Sequence, residues 1–407
     1  MRLHRYIKET RSILGQPTLP HHLGKRLSAQ GLCCLKNGIF LLIFLFITAI
    51  ASPAHAAIVT WDGGGGNTNW NTCANWSLDT CPTAADIATF NATSVKNATI
   101  TTDPNVDGID IQAGYTGIIS QNTGVTITVG AANFVQASGT FTGGDSAIQT
   151  TDLIINGGSF TATSGTMTVG DDFTISGGTF SHNGGTVTFT GGGNAAFTFD
   201  VAPTLNHVIF NRTNRIDITG TSPTLDIDGN FTLTSATDID GGTILLAGNI
   251  TTSDTLVTGN SAFTIDGGNT QTIDGSGANA ALPNLTINKS GGSLTFLNDI
   301  SINSNLTYTA GSVDTTTNNV TIQFGLTGIN STTFINSSTL QFNHVTFNKT
   351  NNLDVSGTMD INGNLTINSA TNLRAQSSGD RITLAGNLIS SDATIDGDLD
   401  IEFDGTT

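Results

Sequence analysis

Charge is scarce in this 407-residue chain: 11% of its residues are Asp, Glu, Lys or Arg, and 7% are aromatic. The helix formers Lys, Glu and Arg are correspondingly thin while Gly, Thr, Asn and Ser are plentiful, which excludes an all-α or α/β enzyme. Basic residues are fewest beyond residue 56, where seven (Lys96, Arg212, Arg215, Lys289, Lys349, Arg374 and Arg381) face thirty acids, a formal charge of −23. Such a surface repels nucleic acid and anionic lipid, so neither is expected as a partner. The same stretch holds one Glu, Glu402, and three His, His182, His207 and His344. Long apolar runs are missing apart from residues 38–51, and that run is shorter than the roughly 20 residues needed to cross a bilayer.

The run at 38–51 follows Lys36 and ends in Ser52, Pro53 and Ala54-His55-Ala56. A basic flank, a short apolar core and a small-x-small end are the parts of a secretory signal, so residues 1–56 read as a signal peptide cleaved after Ala56. A secreted or cell-surface location follows, with membrane contact only through the secretion route or a C-terminal anchor that is missing here. Cys33 and Cys34 precede the apolar run and leave with it. Cys73 and Cys81 then remain as the only thiols, and in an oxidising compartment they are expected to close a small disulfide loop.

Residues 57–100 read as an N-terminal cap. Trp61, Trp70 and Trp76, all the tryptophans of the chain, lie here within Trp61-Asp62-Gly63-Gly64, Trp70 and Asn75-Trp76, followed by Pro82 and Asp86. Three large aromatics beside the one disulfide suit a plug over the end of a repeat core. This arrangement resembles the start of bacterial secreted β-strand repeat proteins of the autotransporter-passenger and haemagglutinin-like type. The resemblance covers the cap alone and implies an adhesin-type repeat protein.

From residue 101 onward, short alternating apolar runs are separated by Gly, Asn and Asp, the pattern of strands and turns. Residues 152–170 (DLIINGGSFTATSGTMTVG) superimpose on 172–190 (DFTISGGTFSHNGGTVTFT) at an offset of 20. A repeat of that length, built from strands with one apolar edge, is one coil of a parallel β-solenoid. Residues 101–200 are such coils. Residues 201–407 repeat on a longer scale: NHVIFNRTN at 206–214 recurs as NHVTFNKTN at 343–351, and LDIDGNFTLTSATDI at 225–239 as MDINGNLTINSATNL at 359–373. A weaker copy starts at Leu285, giving spacings of 77 and 60 residues from Val208 to Leu285 to Val345, close to four and three coils. The fold expected is all-β, a parallel β-helix, right-handed as such crossovers are, with tandem β-sandwich repeats as the alternative. The strand pattern runs to the last residues, so the solenoid is expected to be incomplete at its C-terminus.

Candidate chemistry is sparse. His207 and His344 occupy one repeat position, each after Asn and before an apolar strand, which points to a turn hydrogen bond. The only adjacent acids, Asp171 and Asp172, have His182 not far along and are the strongest catalytic candidates, yet no converging constellation is evident and no catalytic residue is assigned. Asp226 with Asp228, and Asp238 with Asp240, form Asp-x-Asp pairs beside turns and are weak calcium candidates; Asp also favours turns by bonding its own backbone. No other cofactor is expected. The function expected is that of an exported, adhesin-like β-solenoid presenting a Thr/Asn-rich face to a surface, glycan or protein. A polysaccharide-active β-helix lyase or hydrolase is the alternative. An ice- or crystal-binding solenoid is a third reading, because Thr166-x-Thr168 is expected to stack over Thr186-x-Thr188; it ranks last, because the ladder skips the coil between, where Ser146 to Gln149 stand, and later gives way to Asn364-x-Thr366-x-Asn368.

Overall fold

The structure, a computed structural model, describes residues 56–277, 280–325, 332–337, 340–348, 351–369, 372–391 and 396–405. The expected signal run at 38–51 lies outside them. The chain is 54% strand and 2% helix, wound as a parallel β-solenoid of about 14 turns. Among the described residues no helix is long and apolar enough to cross a membrane.

Each coil passes through three strands, for example Thr166–Val169, Phe173–Ile175 and Thr179–Ser181. Every strand lies parallel to its equivalent one coil away: Met167 faces Val187, Phe173 faces Leu153 and Phe180 faces Phe160. The 20-residue offset is therefore the coil itself. The parallel register also excludes the tandem sandwich, whose sheets are antiparallel. Because side chains alternate along a strand, one edge of each points to the axis. Met167, Val169, Phe173, Ile175, Val187 and Phe189 are all buried there, each contributing roughly 1.5–3 kcal/mol. Between second and third strands the chain turns through Gly158 and, one coil on, Gly178, with φ of 78° and 77°. A Cβ at Gly178 would sit 2.6 Å from the Gly158 carbonyl oxygen, so both the left-handed backbone and the close coil spacing require glycine.

Strand alternation in the repeats places Phe173, Val187, Phe231, Leu233, Leu365 and Ile367 inward, and all are buried. Phe180 also points inward but is only half-buried. It ends an aromatic stack, with Phe141 and Phe160 5.0 Å apart and Phe160 and Phe180 5.7 Å apart. The sheet of third strands stops at Thr179–Ser181, because the next third strand, Thr204–Leu205, pairs onward with Thr224–Ile227 instead.

The long repeat needs correction. Val208 lies in a first strand, stacked on Thr186–Phe189. Leu285 lies in a third strand, above Ala262–Ile265, and Val345 in a second, above Thr321–Phe324. The three copies therefore occupy three different faces, and their spacings fall one face short of four and of three coils. The motif encodes a corner followed by a strand, and any of the three corners accepts it.

The expected disulfide forms between Cys73 and Cys81, and Trp61, Trp70 and Trp76 are buried, each in ring contact with Phe90. Two of the indole N–H groups find partners: Trp61 Nε1 donates to the Lys96 carbonyl at 3.0 Å and Trp76 Nε1 to that of Trp70 at 2.7 Å. Strand Ala57–Thr60 pairs with Asp86–Phe90, which pairs in turn with Asn105–Ile111, so the cap is continuous with the first coils.

Candidate functional site

The polar residues of the coil corners bond from coil to coil. His207 Nδ1 accepts the Asn230 N–H at 2.9 Å, Asn230 Oδ1 that of Asn249 at 3.1 Å, and Asn249 Oδ1 that of Thr272 at 2.9 Å. His344 Nδ1 likewise accepts the Asn364 N–H at 2.8 Å, and Asn364 Oδ1 that of Asn387 at 3.1 Å. Both histidines thus take the turn hydrogen bond expected of them, satisfying backbone donors that a corner leaves outside the strand ladder.

Asp172 belongs to a similar ladder. Asn133 Oδ1 accepts the Asp152 N–H, Asp152 Oδ1 that of Asp172 at 3.0 Å, and Asp172 Oδ1 that of Ala196 at 2.8 Å. Burial, with Asp172 and Asp171 adding repulsion, holds the Asp152 carboxyl above its usual range. Asp171 pairs with Arg212, and His182 Nδ1 accepts the Gly184 N–H of its own turn at 2.8 Å, its Nε2 lying 3.9 Å from Asp228. The two acids precede the second strand and His182 follows the third. The acid pair and His182 therefore sit at two different corners, and each of the three has its own partner.

The basic residues hold corners as well, a role that sequence reasoning missed. Arg212 is fully buried; its guanidinium donates to the carbonyls of Gly170 (2.8 Å), Thr190 and Gly193 (2.9 Å) and to Asp171 Oδ1 (2.9 Å). Lys289, its counterpart in the weaker repeat copy, is 3% exposed and donates to the Gly267 and Asn269 carbonyls and to Gln271 Oε1. Burial pushes the Lys289 ammonium down, with Asp266 opposing. Lys96 does the same for the Gly63 and Gly65 carbonyls of the cap. The available signal was an Asn followed by a cation at a strand end, at Asn211-Arg212 and Asn288-Lys289.

The calcium candidates find partners within the protein. Asp226 Oδ2 accepts from the Thr204 hydroxyl at 3.3 Å, and its carboxyl is pushed up by burial and by Asp228. Asp238 accepts from the Thr258 hydroxyl at 2.8 Å and is pushed up, chiefly by burial. Asp240 accepts the Asn260 N–H at 2.9 Å and lies 3.2 Å from Arg215, which also pairs with Asp217. Among the described residues no three His, Cys, Asp or Glu side chains converge as a metal site requires.

On the first face Thr166 and Thr168 do stack on Thr186 and Thr188. Gln149 lies beside Thr168 on one side, and His207 and Ile209 follow Thr186 and Thr188 on the other, so that array is short. The more regular array is on the third face. Thr99, Ser120 and Thr142 stand in register on successive coils, and Thr161 and Ser181 continue the column. A second column runs through Thr140, Ser159 and Thr179, with Thr179 Oγ1 donating to Ser159 Oγ at 3.2 Å. These five strands, Ala98–Ile100, Ile118–Gln121, Thr140–Thr142, Ser159–Thr161 and Thr179–Ser181, contain no charged residue. No protein-family model, curated protein or solved structure matches the chain.

Proposed function

We propose that the protein is an exported bacterial surface or secreted structural protein, adhesin-like, that attaches through a repeated outward face to a surface, glycan or protein. The observation that carries this reading is the uncharged hydroxyl face of five successive strands, set on a chain that is otherwise strongly acidic. Each Thr or Ser contact is weak, so attachment depends on many made at once. Stacked phenylalanines behind the face keep its spacing regular. The apolar run at 38–51 and the disulfide support export.

The test is adhesion of the full chain to solid supports. Thr142→Asp with Thr161→Asp should reduce it severalfold, whereas Thr168→Asp with Thr188→Asp on the first face should leave it nearly unchanged; equal effects of the two pairs would remove the reading. A parallel assay on acidic and neutral polysaccharides compares the parent with Asp171→Asn/Asp172→Asn/His182→Gln. Cleavage by the parent that disappears in the triple variant would favour the lyase or hydrolase alternative.

A further inference from the structure

Among the described residues Asn precedes Gly at three corners: Asn156-Gly157, Asn183-Gly184 and Asn362-Gly363. The pair is a reactive one. A glycine nitrogen has no neighbouring Cβ to shield it, so it can attack the asparagine side-chain carbonyl carbon, Cγ, and close a five-membered ring. Two conditions decide whether it does: the peptide between the residues must have room to rotate, and a base must take the proton from the attacking nitrogen.

Two of the corners meet neither condition. Asn156 donates its N–H to the Gln136 carbonyl at 2.7 Å, and its Oδ1 accepts the Ser176 hydroxyl at 2.7 Å. A Cβ on Gly157 would sit 2.5 Å from the Ala137 carbonyl oxygen, so the neighbouring coil leaves that peptide no space. At the third corner the Gly363 N–H is already bound to the Asn343 carbonyl at 2.7 Å, and a Cβ on Gly363 would lie 2.5 Å from the same oxygen.

The corner at Asn183 differs because the sheet of third strands ends just before it, at Thr179–Ser181. Asn183 and Gly184 are exposed, and a Cβ on Gly184 would meet nothing within 4 Å. Both residues have left-handed backbones, φ 51° and 74°, in a turn closed by the Gly185 N–H on the His182 carbonyl at 3.0 Å. The Asn183 side-chain amide makes no hydrogen bond among the described residues. The nucleophile, by contrast, is engaged by a base: His182 Nδ1 accepts the Gly184 N–H at 2.8 Å. With Nδ1 as acceptor the ring proton is on Nε2, which faces Asp228 Oδ2 at 3.9 Å, and that carboxylate favours the imidazolium formed when the proton moves. Nucleophile, base and a third group behind the base stand in line.

We propose that Asn183 is a self-modification site at which His182 is the catalytic base. His182 Nδ1 takes the Gly184 amide proton, and the Gly184 nitrogen forms a bond to Asn183 Cγ. The Cγ–Nδ2 bond then breaks, and Nδ2 leaves as ammonia with the proton returned from the imidazolium. Water opens the resulting succinimide at either carbonyl, giving aspartate or isoaspartate. The new carboxylate stands two residues beyond Ser181, where the hydroxyl face ends. The reaction depends on this turn alone, so it stands or falls separately from attachment through that face.

The test incubates the purified full chain at physiological pH and temperature and follows the three Asn-Gly sites by peptide mapping, reading the mass difference between amide and acid together with isoaspartate. Asn183 should convert while Asn156 and Asn362 remain amides. His182→Gln should slow conversion at Asn183 by about ten-fold or more, and Asp228→Asn should slow it by a smaller factor. A turn loosened by either substitution would react faster, so a slower rate isolates the base from the packing. No conversion at Asn183, conversion as fast at Asn156 or Asn362, or an unchanged or faster rate in either variant would overturn the proposal.

Discussion

Arg212 Nη2 donates to Asp171 Oδ1 at 2.9 Å, joining residues 41 positions apart in the chain. The arginine side chain is fully buried and that of the aspartate is 43% exposed, so the two ends of this ion pair differ in what they hold. The guanidinium also satisfies three carbonyl oxygens from the corners of earlier coils. Arg212→Ala should cost about 2–4 kcal/mol, because those part-buried acceptors lose their donor and the space of a fully buried side chain is emptied. Asp171→Asn should cost much less, since its partner keeps the carbonyls and its own side chain meets solvent. Urea denaturation of the two variants checks the asymmetry; equal losses would mean that the ion pair, and not the carbonyl clasp, is what matters.

The register of the coils makes a sharper prediction at neighbouring positions. Phe231 is 1% exposed and stacks between Val208 and Ile250, while Thr232 faces outward between Ile209 and Thr251. Phe231→Asp should cost several kcal/mol by burying an unpaired charge. Thr232→Asp should stay within about 1 kcal/mol. Similar thermal shifts for both would contradict the inside and outside assignment.

Closing the loop from Cys73 to Cys81 restricts a short segment that carries Trp76. Cys73→Ser with Cys81→Ser should cost about 2–3 kcal/mol. The loss should fall on the cap first, seen as a red-shifted tryptophan fluorescence transition preceding the main melt, because all three tryptophans lie there. A single coincident transition at the parent's temperature would show that the disulfide adds nothing.

Stability should have a maximum on the acid side of neutrality. Burial raises the carboxyls of Asp152, Asp226, Asp238 and Asp266. A raised acid binds its proton more tightly in the folded state, so its contribution is present at low pH and is lost as pH rises through the raised value. Asp314 runs the other way: hydrogen bonds from Thr317 and Thr316 hold it at about 2. Its contribution is complete above the ordinary carboxylate range and is lost as pH falls toward about 2. The melting temperature should therefore rise as pH falls from neutrality toward the ordinary carboxylate range, and fall again below about pH 4. Asp152→Asn should flatten the rise and Asp314→Asn the acid fall.

Sequence by itself determined the stacked parallel coils, the 20-residue step, the inward set from Phe173 to Ile367, the Cys73–Cys81 disulfide, and the turn role of His207 and His344. Those features are local. Side-chain alternation has a period of two residues, and a repeat that stacks on itself reproduces the same environment at every copy, so pattern alone carries the information. Tertiary structure decided what depends on corner lengths accumulated over several coils: that Val208, Leu285 and Val345 lie on three different faces, and that the longer hydroxyl columns run on the third face while the first-face array is short. It also decided that Arg212 and Lys289 are buried and that Asp171 and His182 are apart. A residue's partners in a solenoid come from the coils next to it, some 20 to 40 positions away. One residue more or less in an intervening turn changes which side chain stands there without altering the local strand pattern.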